Sequence, residues 1–282
     1  MVRILVTNDD GVLAPGILSL ARAMTEHGHV TVVAPDAEYS GAGAAIGAIW
    51  ERVPHVPRHR LDGVPEAWAV NGPPALAVMY ARLGAFGEPF DLVVSGINPG
   101  ANVGRSVYHS GTIGACLSGR NGGWSGIAVS QASVGWGVEG QAWDDSHQKW
   151  ETAATVASEF VRGYLKEPPT DVVVANINVP NVELTDIDGW AVTEVGQLPP
   201  RAMSTATLVP RSDRSDDFDV DVTWGDPIDL PDHTDGGTIE RSRVSVTYLT
   251  RLEAESRSDM ASAEHALDDL LGRPATDRDS GG

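Results

Sequence analysis

The first 24 residues constrain the fold more than any other stretch of the chain. An apolar run at 4–6 is followed closely by Asp9 and Asp10, and Pro15 then opens a helical pattern that continues to Met24. Proline suits the first turn of a helix because its missing N–H group is not needed there. A buried strand, a tight turn and a helix are typical of parallel α/β sheets, in which ligands bind at the carboxyl ends of strands. The pattern therefore predicts that both carboxylates lie at the ligand-binding edge of a sheet.

The adjacent carboxylates admit two interpretations. Like charges held close together cost free energy unless a cation or a shared proton offsets them, and a hard divalent metal is the simplest such cation. Alternatively, Asp9 and Asp10 belong to a solvated Asx turn in which one Asp caps a helix, which is a common arrangement. Because Asp-Gly marks turns in general, this stretch alone leaves both interpretations open.

Buried strands and helices alternate through the first two thirds of the chain. Further strands are predicted at 29–34, 67–70, 90–95, 126–130 and 172–179, with helices beginning near 74, 110 and 146. Such alternation predicts an α/β fold, with a Rossmann-like, doubly wound and mostly parallel sheet.

After about residue 188 the apolar pattern changes to a period of two. Period-two strands are predicted at 189–195 and 218–224, a last strand at 242–249 and a terminal helix at 263–271, with a polar connection at 201–217 and an acidic turn at 226–237. Period-two strands indicate antiparallel pairing with one solvated face. We therefore expect a catalytic core at 1–188, a C-terminal antiparallel β extension with its helix at 189–272, and a disordered tail at 273–282.

The composition excludes several classes of partner. The 282 residues include 39 acidic and 20 basic side chains, giving a net charge of −19, which disfavours binding to nucleic-acid polymers and to anionic membranes. No apolar run approaches the roughly 20 residues that span a bilayer, and no signal peptide is recognisable, so we expect a cytoplasmic protein. The single cysteine, Cys116, excludes an internal disulfide and fits a reducing compartment.

The scarcity of lysine supports a second inference from charge. Only Lys149 and Lys166 are lysines, and the other basic residues are arginines. An excess of acidic groups is tolerated where salt screens their mutual repulsion. The composition therefore favours a halophilic protein over the alternative, an ordinary acidic enzyme.

Three loops that follow predicted strands carry oxygen-bearing side chains. Asp9 and Asp10 follow the first strand, Ser40-Gly41 follows the second, and Asn98 follows the strand at 90–95. These loops should meet because the carboxyl ends of parallel strands share one edge. Two carboxylates, a hydroxyl and an amide carbonyl make a hard oxygen site that suits Mg²⁺ or Mn²⁺.

A helix start at Ser110-Gly111-Thr112 could supply an anion site beside the metal. Free backbone N–H groups at a helix start bind anions, although this segment in isolation favours simple capping by Ser110. A metal next to an anion pocket suggests hydrolysis of a phosphate ester.

The order of these motifs resembles that of the SurE family, the survival-protein nucleotidases. The resemblance covers roughly residues 1–180, and residues 244–249 show a weaker resemblance. It rests on Val6–Gly11 with Ala14–Ile17, Val33–Asp36, Ser40-Gly41, Val94–Asn98 with Gly100 and Asn102, Ser110–Thr112, and Asn176–Pro180. Together with the composition, this suggests a SurE protein from a halophilic archaeon.

The resemblance implies a metal-dependent phosphatase of nucleoside monophosphates, a 5′/3′-nucleotidase with one divalent ion per subunit. The implied metal ligands are Asp9, Asp10, Ser40 and Asn98. The implied catalytic residues are Asp9, Asp10 and Asn98, and the implied substrate or phosphate residues are Ser40, Gly41, Asn102, Ser110, Gly111 and Thr112. The family also forms dimers or tetramers by exchanging C-terminal elements, so residues 189–272 are expected to mediate assembly.

Several questions stay open at this level. Leu76, Tyr39, Pro99 and Ala101 depart from the family's usual residues, which affects the expected substrate preference rather than the metal site. The residues do not choose between 5′ and 3′ esters, or between a base and a nucleophile as the role of an Asp. The competing functions are a nucleotide- or sugar-nucleotide-binding module without hydrolysis on the same fold, and an interaction protein that has kept only the fold.

Overall fold

A computed structural model describes residues 1–47, 54–133, 147–198, 203–211, 216–226, 228–255 and 257–272. The strands, in chain order, are β1 (Arg3–Thr7), β2 (His29–Pro35), β3 (Arg58–His59), β4 (Glu66–Val70), β5 (Leu92–Pro99), β6 (Ser125–Gln131), β7 (Val174–Val179), β8 (Trp190–Val192), β9 (Met203–Pro210), β10 (Phe218–Trp224) and β11 (Val244–Leu249). The helices are α1 (Pro15–Met24), α2 (Pro74–Arg82), α3 (Gly111–Arg120), α4 (Trp150–Lys166), α5 (Asp235–Glu240) and α6 (Ala261–Leu271).

Nine strands form one sheet in the order β3-β4-β2-β1-β5-β6-β7-β11-β8. The six from β4 to β7 are parallel to their neighbours, β3 and β11 are antiparallel to β4 and β7, and β8 is parallel to β11. Numbered along the chain, the six parallel strands take the order 3-2-1-4-5-6, which is the Rossmann order. The predicted α/β fold with a mostly parallel, Rossmann-like sheet is therefore confirmed.

This order defines where a ligand should bind. The chain leaves β4 and crosses to the other side of β1 to form β5, so the strand order reverses between β1 and β5. Thr7 pairs with Ser95 at the end of this contact. Ligands of open α/β sheets bind at such a switch point, beyond the carboxyl ends of the strands. Asp9 and Asn98, each a few residues further along, lie at that edge.

Helices cover both faces of the sheet, which explains the apolar runs of its strands. The residues of α1 and α4 join Ile4 and Val6 in one buried cluster, and those of α2 join Leu5 in a second. Successive side chains of a strand point to opposite faces. A strand that is buried on both faces reads as a continuous apolar run rather than an alternating one. Leu76 is buried in the second cluster.

The main sheet continues into the C-terminal part, beyond residue 188. Strands β8 and β11 complete the main sheet, and the first compact unit runs from Met1 to Leu249. The antiparallel pairing predicted for 189–195 is wrong, because β8 is parallel to β11. The expected antiparallel structure in the C-terminal part is present as a two-stranded sheet of β9 and β10. The second unit begins at Thr250 and contains α6, the predicted terminal helix. The tail predicted at 273–282 lies outside the described residues.

Two further local predictions in this region are wrong. The stretch 201–217, expected as a polar connection, contains β9, which is stabilised by pairing with β10 along its whole length. The stretch 226–237, expected as an acidic turn, contains the start of α5, which Thr234 caps by accepting the Gly237 N–H at 3.1 Å. In the described parts of the chain, no helix combines the length and apolar character that crossing a membrane requires.

Candidate active site

Asn8, rather than either aspartate, closes the turn after β1. Its Oδ1 accepts the Gly11 N–H at 3.2 Å, and its Nδ2 donates to the Gly11 carbonyl at 3.0 Å. Gly11 has φ of +107°, a conformation that favours glycine. Because Asn8 closes this turn, the interpretation in which an Asp closes it loses its main support.

Asp9 is buried against the start of α3. Its Oδ1 accepts the Thr112 hydroxyl at 2.5 Å. Its pKa is raised above the ordinary value by burial, and hydrogen bonds from the Thr112 side chain and from nearby backbone N–H groups, including that of Gly111, oppose the shift. A Cβ added at Gly111 would lie 2.8 Å from the Cβ and Oδ2 of Asp9. The start of α3 thus faces Asp9 itself, and Asp10 beside it is half-buried.

The loop after β2 contacts both Asp9 and the segment before α3. The Tyr39 N–H donates to the Asp9 carbonyl at 2.7 Å, and the Gly43 N–H donates to the His109 carbonyl at 2.9 Å. Ser40, between these contacts, is exposed and donates its hydroxyl to Glu38 at 2.8 Å. The structure therefore brings the Ser40 loop next to Asp9, and Ser40 Oγ keeps lone pairs for a further ligand.

Asn98 lies at the carboxyl end of β5 and is half-buried. Its Nδ2 donates to the Gly100 carbonyl at 2.7 Å, which fixes the amide and leaves Oδ1 as the atom that can face a cation. A Cβ added at Gly16 in α1 would lie 2.2 Å from the Ile97 carbonyl oxygen. The first helix therefore packs closely on this strand end, as the Ala14-Pro15-Gly16 motif requires.

Asn102 serves a structural role that the sequence did not reveal. Its Nδ2 donates to Ser130 Oγ at 2.8 Å, and its N–H donates to Asn178 Oδ1 at 2.7 Å. Its carbonyl accepts from the Asn176 and Asn178 side chains at 2.9 and 3.2 Å. These contacts hold the loop after β5, and phosphate binding by Asn102 stays a prediction. The sequence signal for these contacts is the presence of Asn176 and Asn178 at alternate positions of the buried strand β7.

Ser110 acts as the N-cap of α3. Its Oγ accepts the Ile113 N–H at 3.1 Å, which is the ordinary capping role considered from the sequence. Thr112 directs its hydroxyl at Asp9 rather than into an open anion pocket. The phosphate roles of Ser110, Gly111, Thr112 and Gly41 therefore stay predictions, and the contact between Thr112 and Asp9 is a feature that sequence reasoning missed.

The donor set at this edge fits a hard divalent cation. Across the described ranges, His, Cys, Asp and Glu form no group of three that could hold a metal, so a site built on Asp9 and Asp10 needs hydroxyl or amide ligands such as Ser40 and Asn98. Burial penalises an ionised Asp9, and a nearby cation removes that penalty. A site of oxygen atoms alone that includes carboxylates suits Mg²⁺ or Mn²⁺.

Comparison with known proteins places this architecture in a family. The model of the Survival protein SurE family matches residues 4–201. The 5′/3′-nucleotidase SurE of Erwinia tasmaniensis is 33% identical over 253 residues, which are 88% of this chain and 90% of that protein. The protein of the same name from Yersinia pseudotuberculosis is 34% identical over 254 residues, with shares of 88% and 90%.

Two further relatives extend the comparison. The 5′-nucleotidase SurE of Alkalilimnicola ehrlichii is 38% identical over 198 residues, 70% of each chain. The crystal structure of the SurE protein from Aquifex aeolicus has a TM-score of 0.72 and 29% identity, and the match covers 94% of this chain and 100% of that one. The family model spans more than half of the chain, and the two 5′/3′-nucleotidase relatives each match 88% of it at 33% and 34% identity. The chain therefore belongs to the SurE family.

Proposed function

We propose that this chain is a metal-dependent phosphoric monoester hydrolase that converts nucleoside monophosphates to nucleoside and phosphate. The observation that carries the proposal is the burial of Asp9 at the switch point of the sheet, in contact with the Ser40 loop and with the start of α3. Relatives that match most of the chain are named 5′/3′-nucleotidases. The charge balance and the SurE motifs both fit a small anionic substrate better than a polymer.

Different residues of this chain have different roles in the proposed site. Asp9, Asp10, Ser40 and Asn98 would hold one divalent cation, Mg²⁺ or Mn²⁺. When bound, such a cation polarises a phosphoryl group and lowers the pKa of bound water. The Thr112 hydroxyl keeps Asp9 in a fixed orientation. We assign Asp9 to ligation of the cation.

A direct assay tests the proposed function. Purified protein is incubated with a panel of 5′- and 3′-nucleoside monophosphates in Mg²⁺ or Mn²⁺, and released phosphate is measured. We expect release that stops on addition of a chelator and returns with excess metal. Nucleotide binding without release of phosphate would favour the alternative, a nucleotide-binding module, and neither binding nor release would favour an interaction protein.

The hairpin of β9 and β10 is proposed as an assembly surface. One of its faces is apolar: Leu208 pairs with Val220 and Pro210 with Phe218. Leu208 and Val220 are 68% and 62% exposed, which is unusual for paired apolar residues unless a partner covers them. A second copy of the chain is the proposed partner, giving a homodimer or homotetramer through C-terminal elements.

Replacing the apolar pair by a charged one should dissociate the assembly. The variant carrying Leu208→Asp and Val220→Lys keeps a favourable cross-strand pair but makes this face polar. We expect its mass by light scattering to fall to that of a monomer. Val209→Lys, on the other face and opposite Asp219, is the control and should keep the parent's mass. A monomeric parent, or a double variant with the parent's mass, would contradict the proposed surface.

We also propose that the protein is adapted to high salt and works in the cytoplasm of a halophilic organism. The net charge is −19, so the excess acidic side chains repel one another in the compact state. This repulsion is largely screened at about 1 M salt, where the Debye length is near 3 Å. The melting temperature should therefore rise between about 0.1 and about 2 M KCl. Thermal melts followed by circular dichroism measure this, and an unchanged midpoint would contradict the adaptation.

A further inference from the structure

Asp235 connects the C-terminal part of the first unit to the loop that follows Asn102. It is the first residue of α5, and it is fully buried. Its Oδ2 accepts the Gly104 N–H at 3.0 Å, and its Oδ1 accepts the N–H groups of Gly196 at 2.9 Å and Gly236 at 2.8 Å. Only the Gly236 N–H belongs to its own helix. The carboxylate therefore joins three segments that are far apart in sequence, which capping of α5 does not require.

The backbone at Gly104 is too closely packed to accept a side chain. Gly104 has φ of +55°, and a Cβ there would lie 2.9 Å from the carbonyl oxygen of Leu198. The chain at 104 is thus pressed against the segment 196–198. Asp235 hydrogen-bonds to both sides of this contact, through Gly104 and Gly196, and so determines where the loop passes.

The same loop has a second fixed point and leads into the candidate site. The side chains of Asn176 and Asn178 hold Asn102, two residues before Gly104. From Gly104 the chain forms a short 3-10 helix to Tyr108 and then reaches Ser110, the N-cap of α3. The helix start that follows contacts Asp9. A displacement at Gly104 would therefore be passed on to the segment between Asn102 and the start of α3.

We propose that Asp235 is a positioning residue that holds the segment from Asn102 to Ser110 in place for binding the phosphate group of the substrate. The proposal rests on the proposed phosphatase function. Asp235 contributes no atom to the reaction. It acts through Gly104, and it makes the C-terminal part of the chain a component of the phosphate site.

Asp235→Asn breaks one of the three hydrogen bonds selectively. The amide oxygen can still accept from Gly196 and Gly236, but Nδ2 then faces the Gly104 N–H, and two donors cannot bond to each other. The variant is nearly isosteric, so the packing of α5 is kept. Thr234→Ala is the matched control, because it removes the cap on Gly237 and leaves the Asp235 carboxylate and Gly104 unchanged.

Four measurements on each protein test the proposal. They are amide hydrogen exchange at Gly104, binding of inorganic phosphate by calorimetry, binding of Mn²⁺ by calorimetry, and kcat/KM with a nucleoside monophosphate. For Asp235→Asn we expect faster exchange at Gly104, weaker phosphate binding and a loss in kcat/KM on the order of 10²-fold, the size that a small misplacement near a reacting centre can cause. Mn²⁺ affinity should not change, and Thr234→Ala should match the parent in all of these values.

The outcomes separate this proposal from the proposed function. If Asp235→Asn loses protection at Gly104 but keeps the parent's phosphate affinity and kcat/KM, Asp235 is only structural and the proposal is overturned, while turnover by the parent still supports the phosphatase. Failure of the parent to release phosphate from any ester would instead overturn the proposed function. If Asp235→Asn does not fold, Gly104→Ala presses on the same contact, and unchanged phosphate affinity in that variant would also overturn the proposal.

Discussion

Asp9→Asn should abolish most of the phosphatase activity and leave the protein folded. The substitution removes the negative charge of the buried Asp9 side chain. It keeps an oxygen that can accept the hydrogen bond from the Thr112 hydroxyl, which lies 2.5 Å from Asp9 Oδ1 in the parent. Loss of one electrostatic contact at a reacting centre typically costs about 10²–10³ in rate. We expect kcat for a nucleoside monophosphate to fall by at least this amount. Asp171→Asn, at an exposed position, is the control and should keep the parent's rate.

The same variant has a predictable effect on stability without metal. Burial raises the pKa of Asp9, so ionisation of Asp9 at pH values above its folded-state pKa destabilises the native state relative to the unfolded chain. A neutral asparagine removes that penalty. In the presence of a chelator at neutral pH, Asp9→Asn should therefore melt at the same temperature as the parent or higher. A much lower melting temperature together with parental turnover would mean that Asp9 is a structural residue.

Gly111→Ala should also impair the site, because Gly111 lies at the start of α3, which contacts Asp9. The new Cβ would lie 2.8 Å from the Cβ and from Oδ2 of Asp9, so the carboxylate or the start of α3 must move. A displacement of this kind near a reacting centre can cost on the order of 10²-fold in rate. Alanine has a higher helix propensity than glycine, so the expected loss of activity runs against the local preference.

A second glycine provides the control for this prediction. Gly163 lies in α4, and among the described residues no heavy atom would come within 4 Å of a Cβ added there. Gly163→Ala should leave kcat/KM unchanged and raise the melting temperature slightly. Steady-state kinetics and thermal melts on both variants make the comparison. Equal kcat/KM for Gly111→Ala and the parent would show that the start of α3 does not constrain Asp9.

The sheet could be predicted from the sequence because its signals are local. A strand buried on both faces, such as β1, reads as an apolar run, and Pro15 marks the helix that follows. The position of Asp9 at a strand end then follows from the architecture. Strand β9 gave no such signal, because its Ser and Thr residues are also typical of a loop. Only the pairing with β10 in the structure shows that it is a strand. Helix α5 is short and rich in glycine, and its cap at Thr234 stabilises it.

The features of the site that could not be predicted from the sequence are contacts between residues that are distant along the chain. Thr112 and Asp9 are 103 positions apart, and Asp235 and Gly104 are 131 positions apart. Neither hydrogen bond leaves a periodic trace in the sequence. The turn was predictable in its place but not in its chemistry, because Asn8, Asp9 and Asp10 are all suitable Asx residues. Only the fold shows that Asn8 closes the turn.

Calorimetric titration with Mn²⁺ tests the central claim, a divalent cation held by Asp9, Asp10, Ser40 and Asn98, most directly. The parent should bind one Mn²⁺ per chain. Asp9→Asn and Asp10→Asn should each bind it much more weakly, Asn98→Ala should show a smaller loss because its ligand is neutral, and Asp171→Asn should match the parent. If Asp9→Asn and Asp10→Asn both bind Mn²⁺ as tightly as the parent, the two-carboxylate site is wrong, and Asp9 and Asp10 are only residues of a turn.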